Sequence, residues 1–143
     1  MTGLSVVNLG AQSAARLVEL QRITGAEQDL SSVALVTRGG DGTIWISQPQ
    51  DMNVVAFSPG GVKVRTIGRR GEGPGSFGGP PSGLIPSDDG LIVFDGQLQR
   101  ISRFGRQGSR VTTTPLVRPK DLPGPSRARL ISAGPEHAFY LFG

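Results

Sequence analysis

An all-β fold is what this sequence predicts, on two observations. The 22 glycines and 11 prolines of the 143 residues fall in clusters between short apolar runs, which marks many turns. A pattern also repeats along the chain. Asp41-Gly42-Thr43-Ile44-Trp45-Ile46 lines up with Asp89-Gly90-Leu91-Ile92-Val93-Phe94, and Val55-Ala56-Phe57 followed by Gly60 lines up with Ser102-Arg103-Phe104 followed by Gly108. A further copy begins at His137-Ala138-Phe139-Tyr140-Leu141, two periods after residues 42–46. With a period near 47 residues and four short antiparallel strands in each, the pattern has the arithmetic of β-propeller blades. The predicted class is thus all-β, an incomplete β-propeller of four-stranded antiparallel blades.

The elements follow in order. Residues 1–29 are an N-terminal segment in which Leu17, Glu19, Gln21 and Ile23 alternate with Val18, Leu20 and Arg22. That alternation suits a strand completing another blade, although the same run can be drawn as an amphipathic helix. Residues 30–67 read as blade one, with strands at 33–36, 43–47, 54–58 and 62–67 separated by GGDG, SQPQDMN and PGG. Residues 68–82 are a Gly/Pro-rich inter-blade loop. Residues 83–116 read as blade two, with strands at 83–86, 91–95, 100–104 and 111–116 separated by SDDG, GQLQ and RQGS. A linker at 117–127 leads to a truncated third blade at 128–143.

The loop invites a nucleotide-binding reading, because Gly73-Pro74-Gly75-Ser76-Phe77-Gly78 satisfies G-x-G-x-x-G after a strand-like run. That chemistry needs a helix whose free amides receive the pyrophosphate. Gly79, Pro80, Pro81, Ser82 and Gly83 follow instead, and they stop any helix. The other phosphate loop requires a Gly-Lys pair, which the chain lacks. No cofactor is expected.

Composition narrows the remaining classes. Zero cysteines exclude disulfides, thiolate catalysis and zinc-cysteine sites. No apolar run of spanning length is present, and the N-terminus does not read as a signal peptide, so the chain reads as cytoplasmic as written. The net charge of +4 concentrates between Gln97 and Leu130, where Arg100, Arg103, Arg106, Arg110, Arg118, Lys120, Arg127 and Arg129 face one acid, Asp121. One Trp and one Tyr offer little base stacking, which argues against nucleic acid. His137 is the only histidine and opens an apolar run, so no triad or histidine metal cluster is expected around it. Asp88 and Asp89 are adjacent in a turn, which suits turn chemistry better than paired acid and base work.

The run VRTIGRRGEGPGSF, then DDGLIVFD and QRISRFGRQG, resembles the bacterial six-bladed β-propeller family related to NHL repeats. Gly68, Gly71, Gly73, Pro74, Gly75, Phe77, Asp89, Gly90, Asp95, Arg100, Ile101 and Phe104 fall in the family's order. The resemblance covers residues 39–108 well and the last segment in part. It implies that residues 68–82 link the outermost strand of one blade to the innermost of the next. That link shares a face with the loops at 48–53 and 96–99, the expected ligand side, where Arg69, Arg70, Glu72, Phe77 and Gln97 are the candidate contacts, Phe77 being read first as a plug of the inter-blade space. Gly71, Gly73, Pro74, Gly75, Asp95 and Arg100 carry the structural motif, with Asp95 capping the turn after its strand and Arg100 reaching a carboxylate or carbonyl. No catalytic or metal-binding residues are assigned. The expectation is a non-catalytic binding or scaffolding module, a fragment of a six-bladed propeller with a protein, small-molecule or carbohydrate partner. A propeller-type lyase or hydrolase with a metal in the central channel is the alternative. Family members of this kind are usually exported, implying an exported or periplasmic parent. A homo-oligomer of three chains, two blades each, would also close the ring.

Overall fold

The computed structural model describes residues 3–7, 17–24, 28–106, 111–117, 120–121, 128–133 and 138–142. It is all-β, with strands β1 (Gly3–Val7), β2 (Leu17–Arg22), β3 (Val36–Arg38), β4 (Ile44–Gln48), β5 (Asn53–Phe57) and β6 (Lys63–Ile67). β7 (Gly83–Ser87), β8 (Gly90–Asp95), β9 (Arg100–Gly105), β10 (Val111–Pro115), β11 (Ala128–Ala133) and β12 (Ala138–Phe142) follow. Two four-stranded antiparallel sheets, β3-β4-β5-β6 and β7-β8-β9-β10, are flanked by the two-stranded pairs β1-β2 and β11-β12. Among the described residues no helix is long and apolar enough to cross a membrane.

The run around Leu17 to Ile23 pairs as a strand with Gly3–Val7, an element that the sequence pattern did not mark. The first strand of the first sheet begins later than residue 33. The Ser47 Oγ accepts the Leu35 amide at 2.9 Å, while the Ser47 amide donates to the Leu35 carbonyl at 2.9 Å. A side chain thus replaces one rung of the ladder, and regular pairing starts only at Val36↔Ile46.

Successive strand residues point to opposite faces, and both faces of each sheet are apolar. From the first sheet, Trp45, Val54, Ala56 and Ile67 meet Leu91, Val93 and Phe104 of the second, with Phe77 inserted among them. The reverse face of the first sheet buries Ile44, Ile46, Val55 and Phe57 under Ile23 and Leu30. The reverse face of the second buries Ile92, Phe94 and Ile101 against Ile85 and Leu116. A strand buried on both sides reads as a continuous apolar run, which explains why GLIVFD carries no clean alternation. The first strands of successive units are neighbours: β3 lies beside β7, and β7 beside β11.

Gly68 is one position where the seam permits no side chain. Its φ is +78°, and a Cβ there would stand 2.0 Å from the Phe77 ring. Gly73 has open space within 4 Å. Gly68→Ala is therefore expected to cost about 3 kcal/mol from combined backbone strain and overpacking. Gly73→Ala should change stability by less than about 0.5 kcal/mol. Denaturant titration of both variants checks the contrast, and equal losses would refute it.

Candidate functional site

The described residues offer two places where side chains from several elements converge. The first is the loop face. Residues 69–77 close on themselves, because the Phe77 amide donates to the Arg69 carbonyl at 2.7 Å and the Gly71 amide to the Phe77 carbonyl at 2.9 Å. This turns the Phe77 ring inward, where it is fully buried and meets Phe104 edge to face at a centroid distance of 6.0 Å. Phe77 therefore fills the space between the two sheets, the plugging role read for it from the sequence, and does not face solvent as a ligand contact would. Arg69, Arg70, Glu72 and Gln97 are exposed.

Beneath them Asp95 and Arg100 hold the loop. Asp95 is 1% exposed and ends β8. Its Oδ1 accepts the amides of Gln97 and Leu98 at 3.0 Å each, and its Oδ2 accepts the Gly78 amide at 2.8 Å. Arg100 is its cross-strand partner at the start of β9. The Arg100 fork donates through Nη1 to the Glu72 carbonyl at 2.5 Å and through Nη2 to the carbonyls of Ser76 at 2.8 Å and Gly73 at 3.2 Å. Its Nε is buried, has no hydrogen-bond partner and stands 4.0 Å from the Asp95 Oδ2. The planar guanidinium suits this task, since it presents several donors in one fixed fork. Gly73, Pro74 and Gly75 give the loop its tight course around that fork, and Ser76 closes it by donating its amide to the Gly73 carbonyl at 3.1 Å.

The same arrangement recurs 47 residues earlier with neutral residues. Gln48 occupies the place of Asp95, Asn53 that of Arg100, Ser31 that of Gly78 and Leu30 that of Phe77. The Ser31 amide donates to the Gln48 Oε1 at 2.8 Å, and the Gln48 Nε2 donates to the Asn53 Oδ1 at 2.9 Å. Leu30 packs in the cluster containing Phe57, as Phe77 packs against Phe104. Backbone conformation repeats as well: Met52 and Gln99, 47 apart, both adopt positive φ, 51° and 48°. Sequence reading missed this copy because none of its four residues matches the residue type of its counterpart.

The second place lies at the opposite end of the seam. A cleft of about 340 Å³ is lined by residues including Asp41, Thr43, Trp45, Arg65, Gly90 and Arg106. The Arg65 guanidinium carbon sits 4.9 Å from the centre of the Trp45 ring, and its Nη1 donates to the Gly105 carbonyl at 3.0 Å across the seam. Burial lowers the Arg65 pKa from its ordinary value. The Thr43 amide, donating to Asp41 Oδ1 at 3.0 Å, holds the Asp41 carboxyl below its ordinary range, and the charge of Arg106 adds to this. The cleft was not legible in the sequence, because its lining comes from turns and strands of two sheets. Arg110, Arg118, Arg127 and His137 lie outside the described residues. Among the described residues no group of three or more His, Cys, Asp or Glu side chains converges.

Compared with known proteins, the chain matches no protein-family model and no curated relative.

Arg100→Ala is expected to cost about 3 kcal/mol, since it strands a buried carboxylate and frees three carbonyls. Gln48→Ala in the neutral copy should cost about 1.5 kcal/mol. Chemical denaturation of the two variants compares them, and equal losses would show that charge adds nothing to the lock. Asp41 supplies a separate test by pH. A lowered folded-state pKa contributes stability above the unfolded value and loses it as pH falls through the folded one. An NMR titration should place the Asp41 carboxyl midpoint below 3.8, with the Thr43 amide shift following the same curve.

Proposed function

We propose that the chain is a non-catalytic binding or scaffolding module built from β-propeller blades of the bacterial six-bladed kind related to NHL repeats. One observation carries this reading. The residues of the motif, Gly68, Phe77, Asp95, Arg100 and Phe104, converge on a single lock between consecutive four-stranded sheets, and that lock recurs one period earlier. A motif used up in joining sheets leaves recognition to the exposed parts of the loops, because function resides in sites carried on a repeated frame.

The loop face suits that task. Arg69, Arg70, Glu72 and Gln97 stand exposed above backbone fixed by Asp95 and Arg100, so a partner would meet a preorganised surface and would spend little free energy ordering it. The partner is a protein or a carbohydrate presenting acceptors to the two arginines.

The test is a screen of glycan and acidic-peptide arrays with the chain and with the Arg69→Ser/Arg70→Ser double variant. Ligands that bind the parent and lose at least about tenfold in affinity to the variant, with unchanged melting, support the loop-face module. Ligands indifferent to the double substitution would move recognition elsewhere. Turnover appearing only with an added divalent ion would replace the module with the lyase or hydrolase alternative.

A further inference from the structure

We infer that the cleft at the far end of the seam is a binding site for a small hydroxycarboxylate, the chemical class of the sugar acids, in which Arg65 and Arg106 take the carboxylate and Asp41 takes the hydroxyls. This site stands apart from the loop face, since it lies at the opposite end of the seam.

A cross-strand row builds it. Trp45, Ala56 and Arg65 are direct partners across β4, β5 and β6. Residues two strands apart are separated by about 10 Å, too far for most side chains to meet. Ala56 carries only a methyl group, so the long Arg65 side chain can cross it, and its guanidinium carbon comes to rest 4.9 Å from the centre of the Trp45 ring. Stacking there, together with the Nη1 bond to the Gly105 carbonyl at 3.0 Å, fixes the guanidinium beside the cleft. A cation already fixed loses little freedom when a ligand arrives.

The row recurs one period later with its residues exchanged. Ile92, Arg103 and Thr112 are direct partners across β8, β9 and β10, each 47 positions after its counterpart. The arginine has moved from the outer strand to the middle one. It nevertheless lines a cleft again, of about 280 Å³, together with Asp88 and Asp89 of the D-G turn. In the first cleft the acid of the matching turn is Asp41. A row guanidinium beside a turn carboxylate is thus repeated even though the arginine changes strand.

The chemistry of the lining selects the ligand. Among the described residues that line the first cleft, Arg65 and Arg106 bring two positive charges and Asp41 one negative, which leaves one positive charge for a monoanion. A planar carboxylate matches the guanidinium fork. The Thr43 amide, donating to Asp41 Oδ1 at 3.0 Å, holds the Asp41 carboxylate in place as an acceptor, and an acceptor calls for donors on the ligand. Hydroxyls supply them, and the Thr43 and Ser87 hydroxyls on the lining can both give and accept. An apolar acid lacks those donors, and a neutral sugar lacks the anion. The volume of about 340 Å³ lies near the lower end of the range for ligand pockets, about 300–1,000 Å³, which suits one sugar-sized molecule.

Trp45 is the only tryptophan of the chain, so its fluorescence reports on this cleft. Glucuronate is titrated against the chain, with glucose, acetate and inorganic phosphate as comparison ligands. The expected result is a saturable change in Trp45 emission with glucuronate and binding at least about tenfold weaker for each comparison ligand. Arg106→Gln and Asp41→Asn should each weaken glucuronate binding at least about tenfold. Arg106 is exposed, and asparagine keeps an acceptor for the Thr43 amide, so both variants should melt as the parent does. Lys63→Gln removes a charge from the same strand outside the cleft and should bind glucuronate like the parent. No saturable change up to about 10 mM glucuronate overturns the inference. Equal binding of phosphate or acetate also overturns it, since the cleft would then take anions in general. Tighter binding by Asp41→Asn would show that Asp41 only repels the anion, and equal losses in Lys63→Gln and Arg106→Gln would reduce the effect to net charge; either result removes the site as assigned.

Discussion

The buried carboxylate of Asp95 is the constraint on which the seam depends. It ends a central strand, accepts three backbone amides and stands beside a guanidinium that itself gathers three carbonyls. Four backbone groups of the irregular 68–82 loop and two of the β8–β9 turn are thus satisfied by two side chains one cross-strand step apart. A buried loop would normally leave such groups unpaired at a cost of about 1–3 kcal/mol each. Because they are satisfied, the loop can turn Phe77 into the space between the sheets, and the seam has an aromatic wedge at one end. Arg65 supplies the corresponding tie at the other end, stacked on Trp45 and bonded to the far sheet.

The two locks solve one geometric problem with different chemistry. Where the loop is long and rich in glycine, a charged pair is used, and the guanidinium reaches across to hold carbonyls that no neighbouring strand can serve. In the first sheet a neutral amide pair suffices: Gln48 takes the Ser31 backbone amide, and Asn53 takes the Gln48 side-chain amide. A neutral pair loses less hydration on burial than an ion pair does, so its contribution does not hang on perfect compensation. The charged lock holds more groups and is correspondingly intolerant of losing either partner.

Burial on both faces explains why these sheets are found stacked. A sheet with one apolar face can present the other to water, whereas β4, β5 and β8 bury nearly every residue and require neighbours on both sides. Phe77 and Leu30 are the pieces that each following element sends back over the face behind it.

The strand pattern was legible because turn residues and apolar runs act locally. The D-G pairs at 41–42 and 89–90 and the GLIVFD run mark their strands through backbone preference alone, and the structure moves most boundaries by no more than a residue. Val36–Arg38 escaped because a serine side chain replaced a ladder rung, which no period records. The exposure of Arg69, Arg70 and Gln97 could be expected from their types, and the burial of Phe77 from its place between two blade patterns, although the residues it meets could not. The neutral lock and the Trp45–Arg65 cleft were decided only in three dimensions. Sequence by itself determined the all-β class and the repeat, because both arise from local spacing; tertiary structure decided which side chains meet across the seam, because those residues share proximity and no common residue type.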